Sequence, residues 1–137
     1  MLRVASEIGA APQFRRDLEA WIERLLGPEW DVVLAADDTY GERACVKAYV
    51  PGREATIMVC PTRDVRPQAT ACHEVVHILL QRMQDVAERM IDQLPEAMRP
   101  FARQTWAEAH EETTEDLARA FCRAYGLQPG PEAAGAR

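Results

Sequence analysis

The chain has 137 residues, 47% hydrophobic and 28% charged, which suits one globular domain with little room for a second. Its formal net charge of −6 argues against nucleic acid or an anionic membrane as the main partner. No apolar run approaches the roughly 18 residues needed to span a bilayer. Residues 1–12 lack the basic-then-apolar order of a secretory signal, so a cytoplasmic protein is expected.

The elements follow in chain order. Residues 12–26 read as an amphipathic helix, with Leu18, Trp21, Ile22 and Leu25 at helical spacing and Gly27-Pro28 as its stop. Residues 30–35 are a strand candidate, followed by the turn-rich stretch 37–41. Residues 43–50 alternate, with Ala44, Val46, Ala48 and Val50 on one face, and Pro51-Gly52 turns the chain into a third strand at 54–60. Short connections predict a three-stranded antiparallel meander. Residues 61–68 read as a loop, and a helix begins near 69–71 and runs to about 93. Its broad apolar face takes in Val76, Leu79, Leu80, Met83, Val86, Ala87, Met90 and Ile91. Leu94-Pro95 breaks it, and a second long helix occupies residues 100–125. The expected fold is therefore α+β: an N-terminal helix, the meander, then two long antiparallel helices. One domain covers residues 1–127, and the Pro-, Gly- and Ala-rich residues 128–137 form a disordered tail.

The four cysteines, Cys45, Cys60, Cys72 and Cys122, form no C-x-x-C pair, which argues against a zinc ribbon. They are expected to be reduced and mostly buried. Cys72 adjoins the most informative motif, but a small residue packed at a helix start accounts for it.

That motif is His73-Glu74-Val75-Val76-His77, an H-E-x-x-H run on the first long helix. Residues four apart sit one turn above each other, so both imidazoles can bind one metal ion at about 2.0–2.1 Å. Glu74 leaves the helix on a neighbouring bearing, where a general base for a metal-bound water is needed. The chain has three histidines in all, so the pattern is not a by-product of a His-rich composition. The competing reading has no metal, with both histidines lining a core helix beside Ile78, Leu79 and Leu80.

A catalytic zinc takes three protein ligands and keeps one position open. The histidine pair lies some 17 residues before its helix ends, about 26 Å at 1.5 Å per residue. An antiparallel return passes the same level at roughly residues 113–117, close to the cluster His110-Glu111-Glu112-Thr113-Thr114-Glu115-Asp116. On the helical wheel Glu111 lies nearest the Ala118 and Cys122 stripe and is the favoured third ligand. Glu115, His110 and Glu112 remain alternatives. If Glu111 binds the metal, His110 or Glu115 could orient an imidazole instead. Glu112 and Asp116 turn toward the side bearing Arg119 and Arg123.

An H-E-V-V-H helix followed by a glutamate on a second helix resembles the gluzincin zinc metallopeptidases. The closest likeness is to very small members and short phage- or prokaryote-encoded peptidases, over residues 30–126. In those a meander sheet precedes the active-site helix, and a glutamate precedes a "LARA"-like stretch, here Leu117-Ala118-Arg119-Ala120. Some gluzincins carry E-x-x-x-D at the third ligand, a string that Glu112 and Asp116 match. The resemblance implies a zincin-like fold, a zinc ion, and hydrolysis of a peptide or protein substrate by zinc-bound water with Glu74 as base. A substrate strand could add to residues 55–60. Tyr40, Tyr49, Tyr125, Arg43 and His110 are candidate oxyanion donors. The alternative is a catalytically weak or inactive zincin-fold module that binds or regulates.

Overall fold

A computed structural model of the chain describes residues 2–4, 12–36, 44–59 and 67–127. The elements in order are β1 (Leu2–Val4), α1 (Pro12–Leu25), β2 (Asp31–Ala36), β3 (Ala44–Tyr49), β4 (Glu54–Val59), α2 (Pro67–Leu79), α3 (Gln81–Asp92), a 3-10 turn (Glu96–Met98) and α4 (Arg99–Ala124). The protein is mixed α+β. The turn expected at 37–41, most of the loop at 61–68 and the tail at 128–137 lie outside the described residues.

The sheet corrects the expected three-stranded antiparallel meander. Among the described residues it has four strands in the order β1-β2-β4-β3. β1 pairs parallel with β2, and β2 pairs parallel with β4, aligning Val32 with Ala55 and Leu34 with Ile57. The one antiparallel pair is the β3–β4 hairpin. The chain does run up, down and up through β2, β3 and β4, as short connections require. The hairpin, however, places its second strand inside, next to β2. Burial explains the choice, since Val32 and Leu34 of β2 and Ala55 and Ile57 of β4 are all core residues. β3 exposes Lys47 and Tyr49 and takes the edge. β1 was not anticipated, because three residues carry no readable period.

α1 and α2 cover one face of the sheet. Phe14, Leu18, Trp21 and Ile22 of α1 pack with Ala71, Cys72, Val75, Val76 and Ile78 of α2 over the inward residues of β2 and β4. Gly27 ends α1 at φ +91°, a conformation that favours glycine, and its N–H donates to the Ile22 carbonyl. α4 joins this core only through its C-terminal half, where Thr114, Ala118 and Cys122 are buried.

The single helix expected from about 69 to 93 is instead two helices that meet at Leu80. Leu80 has φ −91° and ψ 4°, and its carbonyl accepts from both Met83 and Gln84. The break rotates the buried face. In α2 that face meets the sheet and α1, whereas in α3 Ile91 is the one buried residue. Leu79, Met83, Val86 and Met90, expected to be buried, are exposed. Periodicity across 76–91 reads as continuous because the apolar residues keep helical spacing through Leu80 although the inward face changes there.

Because Ile57 is fully buried between α2 and the sheet centre, Ile57→Ala should cost about 2–5 kcal/mol. Urea unfolding followed by circular dichroism measures this as a lower midpoint at unchanged slope.

Candidate metal centre

Two helices build the site. His73 and His77 lie one turn apart on α2, and Glu111 and Glu115 lie one turn apart on α4. The arms keep step through the Leu80 break. His73 faces Glu115 near the core, and farther out Gln84 accepts from the Trp106 indole N–H. Nearer the turn, Arg103 pairs with Glu88 at 3.6 Å and Asp92 at 2.9 Å. Advance along α2 and α3 is thus matched by retreat along α4, 11 residues against 9 between the His73–Glu115 and Gln84–Trp106 contacts. That register explains why counting residues from the turn finds the right part of α4 although the helix count was wrong.

His73 Nε2 lies 2.8 Å from Glu111 Oε1 and 3.0 Å from His77 Nε2. His77 Nε2 lies 3.4 Å from Glu111 Oε2. The other nitrogen of His73, Nδ1, lies 2.9 Å from Glu115 Oε2, whose second oxygen is 3.4 Å from Arg119 Nη2. His73, His77 and Glu111 are a group that could hold a metal ion. Their donor set fits zinc: two imidazole nitrogens and a carboxylate converge at separations near the roughly 3.3 Å edge of a zinc tetrahedron with 2.0–2.1 Å bonds. Glu115 has the second role weighed for it, that of a carboxylate behind an imidazole. The Glu111 and Glu115 pair thus holds the spacing that the string Glu112 to Asp116 suggested, one residue earlier. Glu112 and Asp116 are exposed.

The cluster perturbs its own charges. Burial opposes charge on His73. The hydrogen bond to Glu111, with the charges of Glu74, Glu111 and Glu115, outweighs burial and raises its pKa to about 9. In its imidazolium form His73 donates from Nε2 to Glu111 and from Nδ1 to Glu115. Hydrogen bonds from His73 and then His77 hold the Glu111 carboxyl well below the usual carboxylate range.

A cleft of about 990 Å³ lies over these residues, with Glu74, Trp106, His110 and the β3 residues Val46, Lys47 and Ala48 also in its walls. Glu74 is buried at its base. The Trp106 ring stacks on His110 at 5.4 Å between centroids, and His110 sits 5.4 Å from the His77 ring. Burial first, then the charge of His77, push the His110 pKa down. Of the other oxyanion candidates, Tyr49 lines a groove with Arg3 and Thr56, and Tyr125 packs on Trp21 and Arg24. Tyr40 and Arg43 lie outside the described residues. Cys72 points into the α2–α4 packing, donating to the Ala118 carbonyl at 3.6 Å, and its hydrogen bond with Cys122 and its burial push its thiol pKa up. The part sequence reasoning missed is Arg119, which holds Glu115; its spacing of four from Glu115 was the available signal.

No family model matches this chain, and no curated protein or solved structure matches it. No helix among the described residues is long and apolar enough to cross a membrane.

In chelator-treated protein the charge cluster should shape stability against pH. His73, raised from 6.5 to about 9, contributes stability that is complete below 6.5 and lost as pH climbs through 9. Glu111, lowered from 4.5, contributes stability present above 4.5 and lost as pH falls. Thermal melts should therefore decline on both sides of a plateau, and His73→Gln should remove the alkaline decline.

Proposed function

We propose that this protein is a zinc-dependent hydrolase, a small metallopeptidase of gluzincin type on a zincin-like fold. The observation that carries the reading is the convergence of His73, His77 and Glu111 in one cleft, with Glu74 buried beside them and Glu115 behind His73. A structural histidine pair needs no third donor from another helix and no carboxylate oriented behind it. Both features are what a metal site requires.

Each residue then has a role. His73, His77 and Glu111 would hold the ion, the two histidines through Nε2 and the glutamate through its carboxylate. Glu115 accepts from His73 Nδ1, which leaves the Nε2 lone pair free for binding, and Arg119 holds Glu115 in position. Zinc, when bound, supplies Lewis-acid polarisation of the scissile carbonyl and acidifies the attacking water. Glu74 takes the water proton on a carboxylate oxygen and returns it to the leaving nitrogen. His110, held against Trp106, is the oxyanion donor best situated among the described candidates.

The substrate is an extended peptide. The strand-addition site expected at residues 55–60 is corrected, since β4 lies inside the sheet with β2 and β3 on its two sides. β3 is the edge strand and also borders the cleft through Val46, Lys47 and Ala48. A peptide paired along β3 passes beside Glu74 and His73.

Purified protein should carry about one equivalent of zinc by mass spectrometry, and less than a tenth of an equivalent would sink the proposal. Glu74→Gln should keep the zinc while peptide hydrolysis falls by at least roughly 100-fold. Unchanged function in that variant would favour the binding module instead. In chelator competition, Glu115→Ala should weaken zinc binding about 10- to 100-fold, Glu111→Ala by more, and Glu112→Ala not at all.

A further inference from the structure

Eight large hydrophobic residues are exposed among the described residues, and six of them lie between positions 79 and 101. Met83, Val86 and Met90 run at i, i+3 and i+7 along one stripe of α3, Leu79 ends α2 just before them, and Met98 and Phe101 flank the start of α4. Each is between 42% and 76% exposed. Each also directly precedes a residue of the half-buried or buried row by which one arm faces the other: Leu80, Gln84, Ala87 and Ile91 on one arm, Arg99 and Ala102 on the other. α3 and α4 are antiparallel, so stepping back about 100° on both turns the two stripes toward the same side of the hairpin. Gln81, Glu88, Arg103 and Ala107 lie forward of those rows and line the cleft on the opposite side. The hairpin therefore has a polar front and an apolar back.

Nothing in the described body covers that back. Ile91 is the one buried residue of α3, and the buried residues of α4 begin at Thr114. Six large side chains with about half their surface in water exceed the few hundred Å² that a monomer commonly leaves open. They approach the roughly 800 Å² that each partner contributes to a standard interface.

We propose that this apolar back is a homodimer interface, closed by a second copy of the chain into a four-helix bundle. Charge selects the arrangement. Arg82 and Arg89 follow the stripe around the outer side of α3, and on α4 Glu108, which also borders the cleft, follows it around the outer side. A two-fold axis parallel to the hairpin keeps each residue at its own height and lays α3 of one copy over α4 of the other; since Gln84 stands level with Trp106, Arg82 of one copy comes level with Glu108 of the other. The other face-to-face arrangement, α3 over α3, sets arginines against arginines. One hairpin that carries both signs on either side of one apolar strip is complementary to itself, as an isologous interface demands. It suits a separate acidic protein or an anionic membrane less well, because half of its rim would meet like charge. In the dimer both clefts face outward, so the proposal is independent of what the cleft binds.

Sedimentation and light scattering on the full chain should give twice the 15.4 kDa of one copy. Met90→Glu and Phe101→Glu should each yield monomers with unchanged far-UV circular dichroism, since both side chains are exposed within one copy. Arg82→Glu should weaken the dimer at least about tenfold in Kd, and adding Glu108→Arg should restore it. A wild-type monomer at about 200 μM overturns the proposal, whether or not it binds anionic vesicles. A dimer that survives both glutamate substitutions in the stripe overturns it equally.

Discussion

The packing of α2 between the sheet and α4 is the constraint on which the rest depends. One side of α2 supplies Val75, Val76 and Ile78 to the main core. The other supplies His73 and His77 to the cleft. Since residues on one helix hold fixed angles to one another, the hydrophobic seating of α2 sets where both imidazoles point. α4 is held by the same core through Ala118 and Cys122, which lie one and two turns past Glu115. The charged cluster is thus aimed by apolar residues only a few positions away on each helix.

That arrangement keeps unfavourable charge close to where it is offset. His73 is half-buried and still holds a raised pKa of about 9, because three carboxylates surround it. A group of this kind is costly for a fold that makes no use of it, since the same volume could be filled with apolar side chains at no electrostatic cost. The ladder from Arg119 through Glu115 to His73 alternates in sign, so each member steadies the next. Cleft and core are consequently not separate regions. They are two sides of the same pair of helices.

Beyond Leu80 the balance changes. The hairpin of α3 and the first half of α4 leaves the body and is joined chiefly by polar contacts, Gln84 with Trp106 and Glu88 and Asp92 with Arg103. Its front extends the cleft wall and its back is apolar. A hairpin joined through polar side chains is weakly stabilised in isolation, and covering the back with a second copy would supply burial that the monomer lacks.

The sequence by itself determined the α1 helix, the positions of β2 to β4 within a residue or two, the extent of α4, and the pairing of His73 and His77 with the acidic stretch 110–116. These were legible because helical spacing and hairpin turns are local, and because an antiparallel hairpin matches residues at equal distances from its turn. Tertiary structure alone decided the order of strands, since the inner place beside β2 goes to the strand whose Ala55 and Ile57 reach the core. It also decided that α2 and α3 are separate helices with different faces inward, an offset that apolar periodicity cannot register. Finally, it assigned Glu111 and Glu115 their different places around His73. Both fall on the same stripe of α4, and only the height of α2 against that stripe determines which carboxylate meets Nε2 and which meets Nδ1.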